Sequence, residues 1–310
     1  MNHLVVDIGT SGVRAAIVGA DATVSHVHHR QVLPTTPNQG FIEFDASVMA
    51  AAALEVAGAA LAAGGPVASV GIANQRASTV VWDRATGEPV GPGIGWQDLR
   101  TAAMCLGLQA QGIYFAPSAS ATKLAVLLDI ADPDRERDLC FGTIDTWMAW
   151  NLSGGELHVT DPSNAGVTGL LRTDCTGWDT HLLEVLRIPE RVMPAIVDSS
   201  GVVGSASALD GAPPIAGIAG DQQASLIGQG CTRPGMAKMT FGTGGMVDLN
   251  TGAVRPSFER RGPSGTFPIV AWRRRGRTTF GLEAFMLTAG QAVEWLRDDL
   301  GLIASSEESE

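Results

Sequence analysis

Short apolar runs separated by glycine-rich turns begin at the start of the chain. Residues 4–6 (LVV) are typical of a buried strand, and residues 13–18 (VRAAIV) are typical of a second strand that returns from a tight turn. The alanine-rich residues 46–63 predict a helix, with Asp45 placed to accept hydrogen bonds from its first turn. These patterns predict a strand hairpin followed by a helix.

Strands and helices continue to alternate along the rest of the chain. The next predicted elements are strands at residues 67–72 and 79–83 and helices at residues 98–110, 121–131 and 143–151. A Gly/Pro/Ala-rich segment at residues 211–220 indicates a boundary between two domains, residues 1–210 and 211–310. Beyond it, a strand at residues 215–219 and a helix at residues 222–228 repeat the order seen at the N-terminus. The fold class is therefore α/β with two related halves.

Two glycine loops lie far apart in the chain and have the same form. DIGTSG at residues 7–12 and TFGTGG at residues 240–245 each follow a strand-like stretch. Both offer backbone N–H groups and hydroxyls without a bulky side chain, as a phosphate-binding turn requires. One such loop can equally be an ordinary tight turn. Two of them, with AGDQQ at residues 219–223 before the second, indicate a nucleotide held between two halves, as in a phosphotransferase.

The composition limits the partners and the compartment. Hydrophobic residues make up 45% and charged residues 17% of the 310 residues, as in a folded globular protein with a sizeable core. The formal net charge of −11 disfavours nucleic acid as a partner. Four scattered cysteines without a CxxC pair are typical of reduced thiols, and we find no pattern of a signal peptide or a membrane-spanning helix. We therefore expect a cytoplasmic protein without a membrane partner; its oligomeric state stays open.

Several longer motifs occur in the order found in a known family. They are DIGTS (7–11), NQR (74–76), GWQD (95–98), FGTIDTW (141–147), HVTDPSNA (158–165), PGMAK (234–238) and WLRD (295–298). With these motifs the chain resembles the FGGY family of carbohydrate kinases over nearly its whole length, and within that family the glycerol kinase branch. The resemblance implies an actin-like ATPase (ribonuclease H-like) fold, whose two domains close over ATP, Mg²⁺ and a polyol.

Asp221 is the candidate catalytic base. A polyol hydroxyl is a poor nucleophile at neutral pH, so a carboxylate must lie within hydrogen-bond reach to take its proton. Asp221 follows the small residues Gly217, Ala219 and Gly220, which let a substrate approach the backbone. The resemblance implies the catalytic role, and capping a helix that begins at Gln222 is a compatible second role.

The resemblance also implies roles for the other candidate residues. Asp7 would hold Mg²⁺ through water. The polyol would be bound by Arg76, Trp96, Asp221 and Gln222. The nucleotide phosphates would be bound by Thr10, Ser11, Arg14, Gly242, Thr243, Gly244 and Gly290. Arg14 would add positive charge as phosphoryl transfer proceeds, and a surface arginine in a hairpin is the other interpretation of that residue.

The polyol site departs from the family pattern. Ala77 stands where glycerol kinases have a glutamate that holds a substrate hydroxyl, Ser118 stands at the position of a tyrosine, and Met246 at that of a phenylalanine. Loss of a carboxylate and an aromatic wall should widen the pocket and remove hydrogen bonds. We therefore expect a four- or five-carbon polyol or ketose to be a better substrate than glycerol.

The resemblance ends midway through the second domain. The chain ends shortly after WLRD, and the adenine-binding glycine segment of the family lies in the part that follows, so we expect an incomplete second domain and weak ATP binding. Two functions stay open. One is a kinase that transfers the γ-phosphoryl group of ATP to a terminal hydroxyl of glycerol or a related polyol or sugar. The other is an impaired kinase remnant or actin-like ligand-binding protein without turnover.

Overall fold

Two compact units make up the structure. The computed structural model describes residues 1–241, 244–257, 262, 265–286 and 288–309. Unit 1 comprises Met1–Asp221 and Trp272–Gly276, and unit 2 comprises Gln222–Ala271 and Arg277–Glu310. The predicted domain boundary after residue 210 stays a prediction.

Unit 1 alternates strands and helices, as its sequence predicts. Its strands are β1 (His3–Ile8), β2 (Gly12–Val18), β3 (Val24–Gln31), β4 (Glu43–Phe44), β5 (Val70–Asn74), β6 (Val80–Asp83), β7 (Gly93–Ile94), β8 (Leu139–Gly142), β9 (Val159–Thr160), β10 (Ala195–Ile196), β11 (Ser200–Ser205) and β12 (Pro214–Gly220). Its helices are α1 (Ala46–Gly64), α2 (Ala102–Ala110), α3 (Ser120–Ala131), α4 (Ile144–Leu152), α5 (Pro162–Ala165) and α6 (Thr180–Val185). Two 3₁₀ helices are formed by Gly166–Thr168 and Glu190–Val192.

The main sheet of unit 1 has the strand order β3-β2-β1-β5-β12-β11. Strands β1, β5 and β12 are parallel to one another, whereas β2 is antiparallel to β1 and β11 is antiparallel to β12. The three parallel strands end level, because Ile8 pairs with Asn74 and Asn74 pairs with Gly220. The segments that follow these residues are therefore brought to one edge of the sheet, where α/β proteins bind ligands.

Helix α1 packs on this sheet and builds the main core. The Asp45 side chain accepts a hydrogen bond from the Val48 N–H, which confirms the predicted cap. Met49 and the small Ala53 and Ala57 are buried against the strands together with Ile17. Full burial of a Met or Ile side chain is worth about 1.5–3 kcal/mol. The helix also has the length and hydropathy of a membrane span, contrary to the sequence-based expectation, but its position in this core accounts for its apolar composition.

An aromatic cluster extends the same core. Trp147 and Trp150 of α4 are both buried, and the Trp82 ring centroid lies 5.0 Å from that of Trp147. The Trp147 indole N–H donates a hydrogen bond of 2.8 Å to the Ala46 carbonyl at the start of α1. This bond satisfies the one polar atom of a buried tryptophan and joins α4 to α1.

Unit 2 is built around a sheet with the strand order β13-β14-β16-β15, in which β14 is antiparallel to both β13 and β16. Its elements are α7 (Asp221–Gly228, whose first residue belongs to unit 1), β13 (Ala237–Phe241), β14 (Gly245–Gly252), β15 (Phe267–Arg274, whose last three residues belong to unit 1), β16 (Arg277–Met286), α8 (Gly290–Asp298) and the 3₁₀ helix Ser306–Ser309. Lys238, Asp248 and Glu283 form a row across β13, β14 and β16, and all three are buried.

Some element boundaries differ from those predicted. The strand predicted at residues 67–72 spans Val70–Asn74, because pairing with β1 begins at Val70. The helix predicted from residue 98 begins at Ala102, because the Asp98 carboxylate binds the Ile42 N–H and the Arg100 guanidinium in the preceding loop. Each boundary involves a partner distant in the sequence, Leu4 for Val70 and Ile42 for Asp98, whereas local pattern alone guided the predictions.

Candidate active site

The predicted base lies in an ion pair at the edge of the unit 1 sheet where β1, β5 and β12 end. Nε of Arg76, two residues beyond β5, is 3.5 Å from Oδ1 of Asp221, the residue directly after β12. The Arg76 side chain is only 10% exposed, whereas that of Asp221 is 39% exposed. The guanidinium is thus held in the protein, and the carboxylate is accessible to a small molecule.

Asp221 is the first residue of α7, so the predicted helix start at Gln222 is one residue late. The helix follows β12 without an intervening loop: Gly220 is the last residue of the strand and Asp221 is the first of the helix. A carboxylate in the first turn of a helix is stabilised in its charged form by the helix dipole.

Asp7 carries a second carboxylate at this edge. It pairs in register with Arg14 of β2, and Nη1 of Arg14 is 3.8 Å from its Oδ2. Burial raises the pKa of Asp7, the Arg14 charge opposes this shift, and the Asp221 charge adds to it. The two carboxylates therefore interact, and each also has an arginine beside it.

These two carboxylates fit a divalent cation that is bound mainly by other ligands. Within the described part of the chain no group of three or more His, Cys, Asp or Glu side chains is placed to hold a metal ion by itself. Mg²⁺ in phosphotransferases is usually bound by one or two carboxylates, substrate phosphates and water. The mutual repulsion of Asp7 and Asp221 is the feature that such a cation would relieve.

The first glycine loop closes tightly between β1 and β2. The Gly9 N–H donates to the Gly12 carbonyl at 2.9 Å. A β-carbon at residue 12 would lie 2.8 Å from the Arg30 carbonyl oxygen, so this position requires glycine. Within the loop Ser11 is exposed, and the Thr10 hydroxyl accepts a hydrogen bond of 3.2 Å from the Trp96 indole N–H. Thr10 and Trp96, predicted to bind different substrates, are therefore in contact.

A chain of hydrogen bonds connects this loop to the segment that carries Arg76. The Gln75 amide donates to the Gly9 carbonyl at 3.1 Å and accepts from the Ser78 hydroxyl at 3.1 Å. The Ser78 hydroxyl in turn accepts a hydrogen bond of 3.1 Å from the backbone N–H of Trp96. Gln75 and Ser78 were not predicted as site residues; the NQR motif contains Gln75, but nothing in the local pattern indicates Ser78.

Ala77 has an unusual backbone conformation at the position where the chain departs from its family pattern. Its φ is +62°, which residues with a β-carbon seldom adopt. Its carbonyl accepts hydrogen bonds from the hydroxyls of Ser120 at 3.0 Å and Thr79 at 3.2 Å. These two bonds hold the turn in place. The small side chain of Ala77, which directly follows Arg76 in the chain, is buried.

Lys123 is a further residue that sequence reasoning did not select. It is fully buried in α3, and its ammonium donates to the carbonyls of Trp96 at 3.2 Å and Ser118 at 3.0 Å. Burial lowers its pKa to about 8, although the nearby Asp98 opposes the shift. Lys123 therefore joins the loop of Trp96 to the segment of Ser118. Its predicted helix, residues 121–131, is confirmed as Ser120–Ala131.

The remaining candidate residues belong to unit 2. Oε1 of Gln222 accepts a hydrogen bond from Nζ of Lys238, which also lies 2.8 Å from Oδ2 of Asp248. Burial, with the charge of Glu283, raises the pKa of Asp248 to about 7. Gly244 directly precedes β14, and Gly290 is the first residue of α8. Gly242 and Thr243 lie outside the described residues.

Comparison with known proteins decides the family. Residues 2–228 match the N-terminal domain of the FGGY family of carbohydrate kinases. The chain belongs to the FGGY family. The family that the motifs predict is thereby confirmed.

Several individual proteins are similar to this FGGY family member. It is 46% identical over 327 residues to the glycerol kinase of Trichlorobacter lovleyi and 42% identical to that of Aromatoleum aromaticum, covering 99% of this chain in each case. The chain spans 65% of the length of each of these relatives. Among solved structures it is similar to Plasmodium falciparum glycerol kinase with ADP (TM-score 0.90, 24% identity, covering 99% of this chain and 65% of that one). It is also similar to xylulose kinase from Rhodospirillum rubrum (TM-score 0.86, 20% identity, covering 100% and 66%).

The structural likenesses confirm the α/β fold of the sugar kinases, which is the actin-like ATPase fold predicted from the motifs. Within unit 1 the geometry brings together Asp7, Thr10, Arg14, Arg76, Trp96 and Asp221. The roles of these residues stay predictions. Chemically, the arrangement offers an accessible carboxylate, two cationic side chains and a glycine loop at one edge of a sheet.

Proposed function

We propose that this FGGY family member is an ATP-dependent kinase that phosphorylates a terminal hydroxyl of glycerol or of a related polyol or sugar. The observation that carries the proposal is the Arg76–Asp221 pair, whose carboxylate is accessible at the edge where the DIGTSG loop also lies. Membership in a family of carbohydrate kinases supports the reaction class. We place the protein in the cytoplasm, acting on a small molecule.

Asp221 would act as the general base. As a terminal hydroxyl of the polyol attacks the γ-phosphorus, its proton passes to the Asp221 carboxylate. The bond between the γ-phosphorus and the oxygen that bridges to the β-phosphorus breaks, and ADP leaves with that electron pair. Positioned general bases contribute about 10²–10⁴-fold to such rates. Arg76 would hold the carboxylate in place and bind the polyol together with Trp96 and Gln222.

The glycine loops would bind the phosphate groups. Thr10 and Ser11 offer hydroxyls and N–H groups, and Arg14 offers positive charge to the transferring phosphoryl group. In unit 2 the same role falls to Gly242, Thr243 and Gly244, together with Gly290 at the N-terminus of α8, where N–H groups lack partners within the helix.

Asp7 would hold Mg²⁺ through a water molecule. When bound, the cation would neutralise charge on the β- and γ-phosphate oxygens. The raised pKa of Asp7, caused by burial and by Asp221, supports a site adapted to a cation.

The polyol-dependent release of ADP tests the proposed function. The purified chain is incubated with Mg-ATP and a panel containing glycerol, erythritol, ribitol, xylitol and xylulose, and ADP is followed by a coupled assay. We expect release that depends on at least one member of the panel. ADP release that is absent, or equal with and without polyol, would overturn the kinase and favour a binding protein without turnover.

A further inference from the structure

Asp161 is a buried carboxylate that the proposed reaction does not use. It lies between β9 and α5 and is fully buried. Its two oxygens accept hydrogen bonds from five donors, which are the N–H and hydroxyl of Ser163, the N–H and side-chain amide of Asn164, and the hydroxyl of Ser199. The distances range from 2.5 to 3.1 Å. Such a concentration of donors is what allows a carboxylate to be buried without a cationic partner.

The first connection runs from Asp161 to the catalytic strand β12. The Ser163 hydroxyl donates to Oδ1 of Asp161 at 2.8 Å. Its oxygen also accepts the N–H of Gly220 at 2.9 Å. Gly220 is the last residue of β12 and directly precedes Asp221. Because the Ser163 O–H points at Asp161, a lone pair of the Ser163 oxygen is left to accept the hydrogen bond from the Gly220 N–H.

The second connection runs to β5. The Asn164 amide donates to Oδ1 of Asp161 at 3.0 Å, which fixes the orientation of its carbonyl oxygen. Asn164 and Asn74 then exchange two side-chain hydrogen bonds, of 2.8 and 3.2 Å. Asn74 is the last residue of β5 and lies two residues before Arg76. One buried carboxylate thus orients the groups that hold both strand ends.

We propose that Asp161 is a positioning residue that sets the geometry of the Arg76–Asp221 pair through Ser163 and Asn164; this inference rests on the proposed function. General-base catalysis requires the carboxylate to be within hydrogen-bond reach of the substrate hydroxyl. A displacement of about 1 Å can cost about a hundredfold in rate. Asp161 touches no reacting atom and acts only through the two strand ends.

Capping alone does not account for a carboxylate at this position. An asparagine caps a helix as well as an aspartate does. An amide, however, has one acceptor oxygen, and its NH₂ group would face donors, since all five groups around Asp161 donate to it. Asp161→Asn should therefore turn the Ser163 hydroxyl away from Gly220.

The test compares two buried serines. Ser163→Ala removes the acceptor for the Gly220 N–H. Ser153→Ala is the matched control, because Ser153 is equally buried, at 1% exposure, and its oxygen also accepts one backbone N–H, that of Leu157, at 2.9 Å. The Ser153 side chain hydrogen-bonds to Trp150 and Leu157, neither of which lies at the strand ends of the site.

Ser163→Ala is expected to lower kcat for the best polyol about 10- to 100-fold with little change in KM. Ser153→Ala should lower the melting temperature by a similar amount while leaving kcat within about twofold. Ser163→Thr, which restores the hydroxyl, should recover most of the rate. In the double variant Asp161→Asn/Ser163→Ala the rate should be no lower than in the slower of the two single variants, because both substitutions act through one hydrogen-bond network.

Hydrogen exchange at the Gly220 amide gives a readout that does not depend on turnover. Ser163→Ala and Asp161→Asn should both accelerate its exchange, and Ser153→Ala should not. Absence of polyol-dependent ADP release in the wild-type chain would count against the proposed function, and the exchange result would still decide the connection from Asp161 to β12. Unchanged exchange at Gly220, or a kcat loss equal in the Ser163→Ala and Ser153→Ala variants, would overturn the inference.

Discussion

Asp221 and Arg76 lie 145 positions apart in the chain and form an ion pair, because β5 and β12 end at the same level of one sheet. Each residue was selected from its motif. Their contact follows from the parallel register, which no local pattern contains. Gly71 and Gly217 lie beside each other in these two strands, and the added β-carbon of Gly217 would be 3.8 Å from the Gly71 Cα. Gly217, one of the small residues that precede Asp221, thus lies against a second glycine in the neighbouring strand.

We expect residues 77 and 118 to determine which polyol is preferred. Replacing Ala77 by Glu and Ser118 by Tyr returns the two groups that the family pattern has at these positions. We expect the ratio of kcat/KM for glycerol to that for a five-carbon polyol to rise at least about tenfold, since one hydrogen bond to a substrate hydroxyl is worth about 1–3 kcal/mol. Steady-state kinetics on both substrates measure this ratio.

Ser118→Tyr alone is the control for this substitution. Its side chain is exposed, so the single change should shift the ratio less than the double change. An unchanged ratio in the double variant would mean that Ala77 and Ser118 do not line the polyol site.

At the scale of elements, two fully buried carboxylates lie at the starts of neighbouring helices, Asp145 in the first turn of α4 and Asp161 at the N-cap of α5. Asp145 accepts hydrogen bonds from the hydroxyls of Thr143 and Thr160 and from the Asp161 N–H. Burial, with the charge of Asp161, raises the pKa of Asp145 to about 7. Asp145 is therefore protonated in the folded protein at pH values where it is ionised in the unfolded chain.

This shift makes the stability of the fold depend on pH. Between about pH 4 and pH 7 the folded state binds more protons at Asp145 than the unfolded state, so the free energy of unfolding falls as pH rises through this window. The fall amounts to on the order of 4 kcal/mol for a shift of this size. Asp145→Asn imitates the protonated carboxyl, and its stability should lack this part of the pH dependence. Denaturant unfolding at pH 4.5 and pH 7.5 measures the difference.

Asp134→Asn serves as the control for the pH experiment, because Asp134 is exposed. Its unfolding curves should show the same pH dependence as those of the wild-type chain. If Asp145→Asn also retains the wild-type dependence, the buried carboxyl is ionised in the folded state and the account of this pair is wrong.

Elements with a strong local signal were predicted well. The hairpin β1–β2, the capped helix α1 and helix α4 were all predicted, because short apolar runs, an N-cap and apolar spacing are properties of neighbouring residues. Lys123, Asp161 and Ser163 were not predicted as parts of the site. Each acts across long sequence separations, as in the bond from Ser163 to Gly220 over 57 positions.

At the scale of the whole molecule, the order of motifs identified the family more reliably than any single motif. Either glycine loop could be an ordinary turn, whereas the ordered set indicates one family, which the match of residues 2–228 confirms. The chain spans 65% of the length of its relatives from Trichlorobacter lovleyi and Aromatoleum aromaticum. Because these relatives are longer than this chain, the kinase activity has to be measured on this chain itself.

Transfer of the γ-phosphoryl group from ATP to a polyol, measured in the wild-type chain and in Asp221→Asn, tests the central claim most directly. Asp210→Asn is the matched control, because Asp210 is an exposed aspartate of the same unit outside the site. We predict that Asp221→Asn loses about 10²–10⁴-fold of the transfer rate, because the amide cannot take the hydroxyl proton, while Asp210→Asn keeps it. Equal transfer by the wild-type chain and Asp221→Asn would contradict the assignment of Asp221 as the base.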